Sequence, residues 1–209
     1  MNFIDINKKF EEWHDIIDIK VPLIPSPAIL HCPRIPLPLH HINPRSILTE
    51  IDKGWWDRTR KRVYEASNYR CMCCGTDKAH IKGFPKYLDA HEMYYIEYGT
   101  GRVELRYIVS LCHTRCHPAI HFGRLTAEHD AGRIKDKEFI AILSHANTLL
   151  AKNNLSPKNW DVTVNDNIGN VPWKNWYLAL NINGKEERFY SKFSCKEELD
   201  EFYKSGDKK

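Results

Sequence analysis

The chain of 209 residues is long enough for one sizeable domain or two small ones. Its hydrophobic fraction of 42% and charged fraction of 28% are those of an ordinary globular protein, and the absence of a long apolar run argues against a membrane partner. The formal net charge of +4 permits a nucleic-acid partner without requiring one.

The first two segments of the chain differ in composition. Residues 1–20 carry apolar side chains at steps of four and three, which predicts an amphipathic helix. These side chains are Ile6, Phe10, Trp13 and Ile17. Residues 21–45 hold seven of the eleven prolines. Because proline cannot donate the hydrogen bonds of a helix or a central strand, this segment is predicted to be an extended arm over the surface.

A basic helix is predicted next, over residues 52–68, with Trp56, Val63 and Ala66 near one face. Its opposite side carries a run of cations: Arg58, Arg60, Lys61 and Arg62. Such a run is usually a solvated face. It also stands directly before a cysteine pair and could hold the phosphates of a nucleic acid, so both interpretations stay open.

Two cysteine pairs dominate the middle of the chain. Cys71 and Cys74 form a C-x2-C pair followed by a glycine, and Cys112 and Cys116 form a C-x3-C pair. Two close pairs separated by 37 residues are typical of a four-cysteine structural zinc site. The alternative, a set of buried free thiols, is less consistent with this pairing.

The compartment is predicted from the cysteine count and the N-terminus. Seven cysteines, an odd number of which four are assigned to zinc, favour a reducing environment. The N-terminal residues lack a basic region followed by an apolar core, as a secretory signal would have. We therefore expect a cytoplasmic protein.

The residues between the two cysteine pairs predict a hairpin. Residues 87–98 and 102–111 have the composition of strands, joined by a turn at 99–101. Residues 114–122 are predicted as a short helix that follows the second strand. The order of parts is therefore cysteine pair, strand, strand, cysteine pair and helix.

In this order of parts, residues 70–124 resemble the HNH, or ββα-metal, nuclease family. The resemblance implies a treble-clef zinc core, a nucleic-acid substrate (DNA more than RNA) and a catalytic Mg²⁺, Mn²⁺ or Ni²⁺ ion. It implies that His91 is the general base that activates water and that His117, directly after the last zinc cysteine, binds the catalytic metal. His121 lies on the same helix face as His117 at i+4 and is a further candidate ligand.

The active-site pattern departs from that family at two positions. Ala90 stands where a metal ligand is expected, and Tyr107 stands where an asparagine is expected. Asp89 shares a strand face with His91 and could still reach a metal. A shift of one residue would instead make His91 the ligand and Glu92 the base.

A degenerate site is the alternative for the same residues. The three histidines would then be packing groups around a zinc-stabilised hairpin, or Asp89, His91, His117 and His121 would bind a second structural zinc.

The C-terminal part predicts a helix at Asp136–Lys152 and a small module over residues 156–209. Alternation predicts strands at 160–164, 173–182 and 185–193, with a hairpin turn at Asn183-Gly184. Ser194 and Glu197 predict a capping box that opens a final helix. We expect this hairpin and helix to pack separately and to recognise the target or a partner.

These observations predict an α+β protein in which helices flank a zinc-stabilised ββα core over residues 46–155, with a small C-terminal ββα module. The function predicted is that of an HNH-like metal-dependent endonuclease. The alternative is a catalytically degenerate zinc-binding module that binds nucleic acid or a protein partner as a regulatory or host-takeover factor.

Overall fold

A computed structural model describes residues 3–5, 16–17, 20–22, 24–77, 88–160 and 168–206. The strands in these ranges are β1 (Phe3–Asp5), β2 (Lys20–Pro22), β3 (Leu88–Glu97), β4 (Arg102–Cys112), β5 (Tyr177–Ile182) and β6 (Lys185–Tyr190). The helices are α1 (Pro44–Ile51), α2 (Trp55–Ala66), α3 (Cys116–Ile120), α4 (Phe122–Asp130), α5 (Asp136–Lys152) and α6 (Lys196–Lys204). The predicted α+β class is confirmed.

The antiparallel hairpin of β3 and β4 carries both the cysteines and the histidines of interest. Its register runs from Leu88 opposite Cys112 to Glu97 opposite Arg102, with an irregularity between Met93 and Tyr94. Both strands were predicted, and no strand end differs from its predicted position by more than one residue. Strand ends are weak signals in a sequence, so a shift of this size is expected. The hairpin ends at Cys112, so the second cysteine pair begins where the sheet stops.

Strand β4 connects the two halves of the sheet. It pairs in parallel with β2 at Tyr107 and with β5 along Arg102–Glu104, and β5 pairs with β6 through the predicted Asn183-Gly184 turn. Both turn residues have positive φ, 51° and 80°, as a two-residue hairpin loop requires. The C-terminal hairpin of β5 and β6 therefore extends the same sheet as the β3–β4 hairpin, where separate packing was expected. The proposed domain boundaries stay predictions.

The two faces of the β3–β4 hairpin are covered by different helices. One face packs on the helix pair α1 and α2, in a core that includes Leu48, Trp55, Val63, Ala90, Ile108 and Trp176. The other face packs on α3, α4 and α5, in a core that includes Val109, Leu111, Ala119, Leu125, Ile142 and Leu150. Because side chains alternate along a strand, Asp89 and His91 belong to the second face and Ala90 and Glu92 to the first.

The predicted N-terminal helix over residues 1–20 is wrong at its start. Phe3–Asp5 forms a strand that pairs antiparallel with Lys20–Pro22, so backbone pairing overrides the helical spacing there. Ile6, Phe10 and Trp13 lie outside the described residues. Ile17 is buried, in agreement with an inward position.

The proline-rich arm is less extended than predicted, and it packs against the two cores. It contains two 3-10 turns, Pro27–His31 and Leu37–Leu39, and buries Ile29, Leu30 and Leu39 in the two cores. Its end forms α1, which was not predicted. The signal was present in Asn43-Pro44, since Asn43 Oδ1 accepts a hydrogen bond from the Arg45 amide at 3.0 Å and proline fits the first helical position.

Two helices begin at residues other than those predicted, because a glycine or a capping carboxylate sets their start. Helix α2 begins at Trp55, after Gly54 in the left-handed region at φ 79°, and not at residue 52. At α6 the Ser194 amide donates to Glu198 Oε2 at 2.7 Å, so the capping carboxylate is Glu198 and not Glu197. None of the described helices combines the length and the apolar character that crossing a membrane requires.

Candidate functional site

The four predicted zinc cysteines converge. The sulfur atoms of Cys71, Cys74, Cys112 and Cys116 all lie within 4.8 Å of one another. The Cys74 and Cys112 sulfurs are 4.0 Å apart. Four thiols at this spacing are a donor set that could hold a tetrahedral zinc ion.

Backbone groups support this cluster in the way a metal knuckle requires. The Cys116 amide donates to the Cys112 sulfur at 3.2 Å, and the Gly75 amide donates to the Cys71 carbonyl at 2.8 Å. Gly75 takes a φ of 74°, which glycine adopts without a side-chain clash. The tight turn after Cys74 therefore needs the glycine that the sequence supplies.

Hydrogen bonds between the four thiols shift their pKa values in opposite directions. Those with Cys112 and Cys116 lower the pKa of Cys74, whereas the hydrogen bond with Cys112, the other neighbouring sulfurs and burial raise the pKa of Cys116. A divalent cation would bind these sulfurs as thiolates, because thiolate is the form that binds metal.

A second cluster lies beside the first and consists of three histidines. His91 extends from β3, His117 from α3, and His121 from the junction of α3 and α4, and one ring nitrogen of each lies within 4.8 Å of the others. The Nε2 atoms of His117 and His121 are 3.1 Å apart. Two nitrogens bound to one tetrahedral ion at 2.0–2.1 Å lie about 3.3 Å apart, so this pair has the spacing of shared metal ligands.

Asp89 contacts the histidines from the outer side of His117. Its Oδ2 atom lies 2.7 Å from His117 Nδ1 and 2.6 Å from His113 Nδ1. A carboxylate that holds Nδ1–H of a histidine leaves the Nε2 lone pair for a metal. Asp89 therefore orients the His117 ring. Asp89, His113 and His117 also form a three-residue set that could itself hold a metal.

His113 is the residue of this site that sequence reasoning missed. It follows Cys112 in the turn between β4 and α3. Its position next to a zinc ligand was the available signal. Its contact with Asp89 depends on the hairpin register, which brings Asp89 opposite Leu111.

The environment keeps two of the histidines neutral. Burial, with the charges of His121 and His117, lowers the pKa of His91 well below its usual value. Loss of water around its ring, with the charges of His117 and Arg124, lowers the pKa of His121 to about 4. Nδ1 of His91 is buried and has no hydrogen-bond partner among the described residues. In a neutral imidazole one ring nitrogen carries the proton and the other can accept a proton or bind a metal.

The carboxylate of Asp89 stays ionised. Burial alone would raise its pKa, but the hydrogen bonds with His117 and His113 outweigh burial and lower the pKa to about 2. An ionised Asp89 can hold the histidine Nδ1–H groups throughout the neutral range.

Glu92, the alternative base, lies elsewhere. It is buried on the opposite strand face and forms a two-pronged ion pair with the Arg45 guanidinium, which also lies 4.1 Å from the centre of the Trp56 ring. This pairing holds the carboxylate on the side of α1 and away from the histidines. The structure brings Asp89, His91, His117 and His121 together and leaves Glu92 out.

The two positions that depart from the HNH pattern have other surroundings. Ala90 is buried in the core beside Trp55 and Val63. Tyr107 lines a different cavity, together with Lys20 and Arg106. Neither residue is a member of the histidine cluster.

The basic run on α2 is largely paired with acids. Arg58 forms an ion pair with Asp52, and Arg60 Nε lies 2.8 Å from Asp57 Oδ1. Lys61 is exposed, and Arg62 is half-buried. Because α2 packs on the hairpin face that carries Ala90, this run is not on the face that carries His91.

Two members of the histidine cluster, His117 and His121, line a cavity of about 690 Å³ together with Asp89, His113 and Arg124. The cysteine cluster, by comparison, has three fully buried members. A closed cluster suits a structural ion, and an open one leaves room for a ligand.

The chain matches no protein-family model, no curated protein and no solved structure.

Proposed function

We propose that the protein is an HNH-like metal-dependent endonuclease, with a structural zinc on Cys71, Cys74, Cys112 and Cys116. The observation that carries this proposal is the convergence of His91, His117 and His121 within 4.8 Å, with His117 and His121 lining a cavity. The cysteine cluster directly precedes His117 and would fix the start of α3, so that the strand and the helix keep their histidines together.

His117 and His121 are the residues that fit a catalytic cation. Their Nε2 atoms are 3.1 Å apart, and Asp89 orients His117 from behind. When bound, a divalent cation would neutralise charge on the scissile phosphate and on the leaving oxygen.

His91 supplies the base. Its lowered pKa keeps the imidazole neutral at pH 7, and a neutral imidazole has one ring nitrogen that can accept a proton. Burial shields the ring from bulk water. Asp89 and His91 share one strand face, so base and metal-orienting carboxylate have a fixed separation.

A second candidate is a binding module with a relic site. Ala90 and Tyr107 favour it, since the ligand and the orienting amide that an HNH nuclease uses are absent from those positions. The histidines would then hold a second structural zinc or pack around the first. Such a protein would bind a nucleic acid or a protein partner without cleaving it.

Cleavage assays separate the two candidates. Plasmid, single-stranded DNA and RNA would be incubated with Mg²⁺, Mn²⁺ or Ni²⁺ and with wild type, His91→Ala, His117→Ala or the control His129→Ala. His129 is a matched control because it pairs with Asp136 on α5, outside the cluster. Loss of a general base should slow cleavage by roughly 10²–10⁴-fold, and His129→Ala should not.

Cleavage that survives both His91→Ala and His117→Ala would refute the proposed site. No cleavage under any metal, with a stoichiometric complex to a partner, would favour the binding module.

A further inference from the structure

The cavity beside the histidines extends well beyond the space that one metal ion needs. Its volume of about 690 Å³ falls within the roughly 300–1,000 Å³ of small-molecule sites. Its lining combines polar side chains beside the histidines with apolar side chains from α4, α5 and the loop between them.

Arg124 is the permanent cation of that lining among the described residues. It is exposed, and it makes no ion pair or hydrogen bond within the part of the chain that the structure describes. It stands in the first turn of α4, where the helix dipole and the first backbone N–H groups attract anions. Its charge already reaches the site, because it contributes to the lowered pKa of His121.

The arginines of α2 differ from Arg124 both in their ion pairs and in their position. Arg58 and Arg60 are paired with Asp52 and Asp57, and their helix packs on the other face of the hairpin. Arg124 is three residues after His121 and on the side of the cavity. A phosphate next to the histidines would therefore meet Arg124 before it met the basic run.

The wall beyond Arg124 is apolar. Leu125, Ile134 and Ile142 line it, with Pro118 nearer the histidines. A flat, weakly polar group can replace water there without leaving a buried polar atom unpaired. A nucleobase attached to the phosphate that Arg124 holds has that character.

The lining also includes the carboxylates of Glu128 and Glu138. Glu128 is four residues after Arg124 on α4 and is paired with Arg133, and Glu138 is exposed. A second phosphate beside these carboxylates would face negative charge, which favours a single nucleotide.

We propose that this cavity binds one nucleotide of the substrate strand next to the scissile phosphate. Arg124 binds its phosphate, and the wall of Leu125, Ile134 and Ile142 contacts its base. This proposal rests on the proposed function for its orientation toward the scissile phosphate, but the nucleotide site itself can be tested without cleavage.

The first test measures binding of a fluorescein-labelled six-nucleotide single-stranded DNA by fluorescence anisotropy. The protein is the zinc-loaded full chain with His91→Ala, so that no cleavage occurs. Adding Arg124→Gln should weaken binding roughly tenfold or more, since a charge-assisted contact to phosphate is lost. The dependence of log Kd on log salt should fall by about 0.7, the value for one phosphate contact on a single strand.

Arg188→Gln is the matched control. It removes the same charge from an exposed arginine on β6, and neither Arg188 nor its partner Glu186 lines the cavity. It should change the affinity less than twofold. Equal weakening by both variants, or no weakening by Arg124→Gln, would overturn the proposal.

The second test locates the base. Methyl resonances of isoleucine would be followed by NMR during titration with deoxyadenosine monophosphate, and separately with inorganic phosphate. Ile134 and Ile142 should shift with the nucleotide and not with phosphate alone. Ile140, which lies on α5 and is 59% exposed, should shift with neither.

Absence of nucleotide-specific shifts at Ile134 and Ile142 would refute the base contact. Arg124-dependent binding in a protein that cleaves nothing would refute the endonuclease and leave the nucleotide site intact. Cleavage at the wild-type rate in Arg124→Gln would refute the nucleotide site and leave the endonuclease proposal in place.

Discussion

The cysteine cluster and the histidine cluster adjoin each other, since His117 follows Cys116, yet they differ in what surrounds them. Three of the four cysteines are buried, and the sulfurs complete a four-donor set. The histidines offer fewer donors and open into a cavity. A closed set favours stability, whereas an open set leaves positions for water or substrate.

The geometry of the histidine cluster should depend on the cysteine cluster more than the cysteine cluster depends on the histidines. A zinc on the cysteines would hold the end of β4 and the start of α3. His117 extends from α3, and His91 extends from β3, which pairs with β4. Loss of the cysteine site should therefore disturb the histidines. Loss of a histidine should leave the cysteine site and the fold in place.

The largest effect is expected from Cys112→Ser. Losing a structural metal ligand should cost about 4 kcal/mol or more and lower Tm by roughly 10 °C or more. Zinc content by mass spectrometry and Tm by calorimetry check this. Cys195→Ser, at the start of α6 and outside the cluster, is the control and should change neither. A folded Cys112→Ser protein with full zinc content would refute the four-cysteine site.

A smaller effect is expected from Asp89→Asn, which keeps the shape and removes the charge that orients His117 and His113. Loss of such a supporting carboxylate typically costs 10–100-fold in metal affinity or activity. Asp136→Asn removes the carboxylate of another aspartate–histidine pair, with His129, and should have no such effect. Nickel titration by calorimetry measures the change. Wild-type affinity in Asp89→Asn would mean that Asp89 does not orient the ligand.

A pH effect should distinguish the histidine cluster from ordinary surface histidines. The folded pKa values of His91 and His121 lie below the unfolded value near 6.5, and that of His121 is about 4. Between pH 6.5 and about 4 the unfolded chain therefore binds more protons than the folded chain, so stability falls as the pH is lowered.

Urea unfolding at pH 7.5 and at pH 5 tests this for wild type and His91→Gln. Wild type should lose more stability on acidification than the variant. The cysteine site is common to both proteins, so its own acid sensitivity cancels in the difference. An equal loss in both would indicate that His91 is not held neutral by the fold.

The smallest effect is expected from Arg60→Gln on α2. Its pair with Asp57 is a surface contact at i,i+3, worth about 0.2–0.5 kcal/mol. We expect a change in nucleic-acid affinity of less than twofold by anisotropy, with Lys61→Gln as the unpaired comparison on the same helix. A tenfold loss in Arg60→Gln would restore the basic run as a phosphate-binding surface.

The cysteine site was predictable because spacing alone defines it. C-x2-C with a following glycine, and a second pair after a hairpin, needed no knowledge of distant residues. The bounds of α5, Asp136–Lys152, followed from its apolar spacing for the same reason.

The histidine site was only partly predictable, because its geometry depends on the register of the hairpin. Asp89 and His91 could be assigned to one strand face from alternation. The contact between Asp89 and His113 could not, since His113 lies in a turn. Nor could the pairing of Glu92, because its partner Arg45 comes from a helix that the proline-rich composition concealed.

Metal binding at the histidine cluster is the central claim, and nickel titration after the cysteine site has been loaded with zinc tests it most directly. Calorimetry should detect one nickel ion per wild-type chain, none for His117→Ala, and one for His91→Ala, whose cleavage should nevertheless be lost. Wild-type protein that binds no nickel beyond the zinc would contradict the account. Loss of nickel in His91→Ala would make His91 a ligand and contradict its assignment as the base.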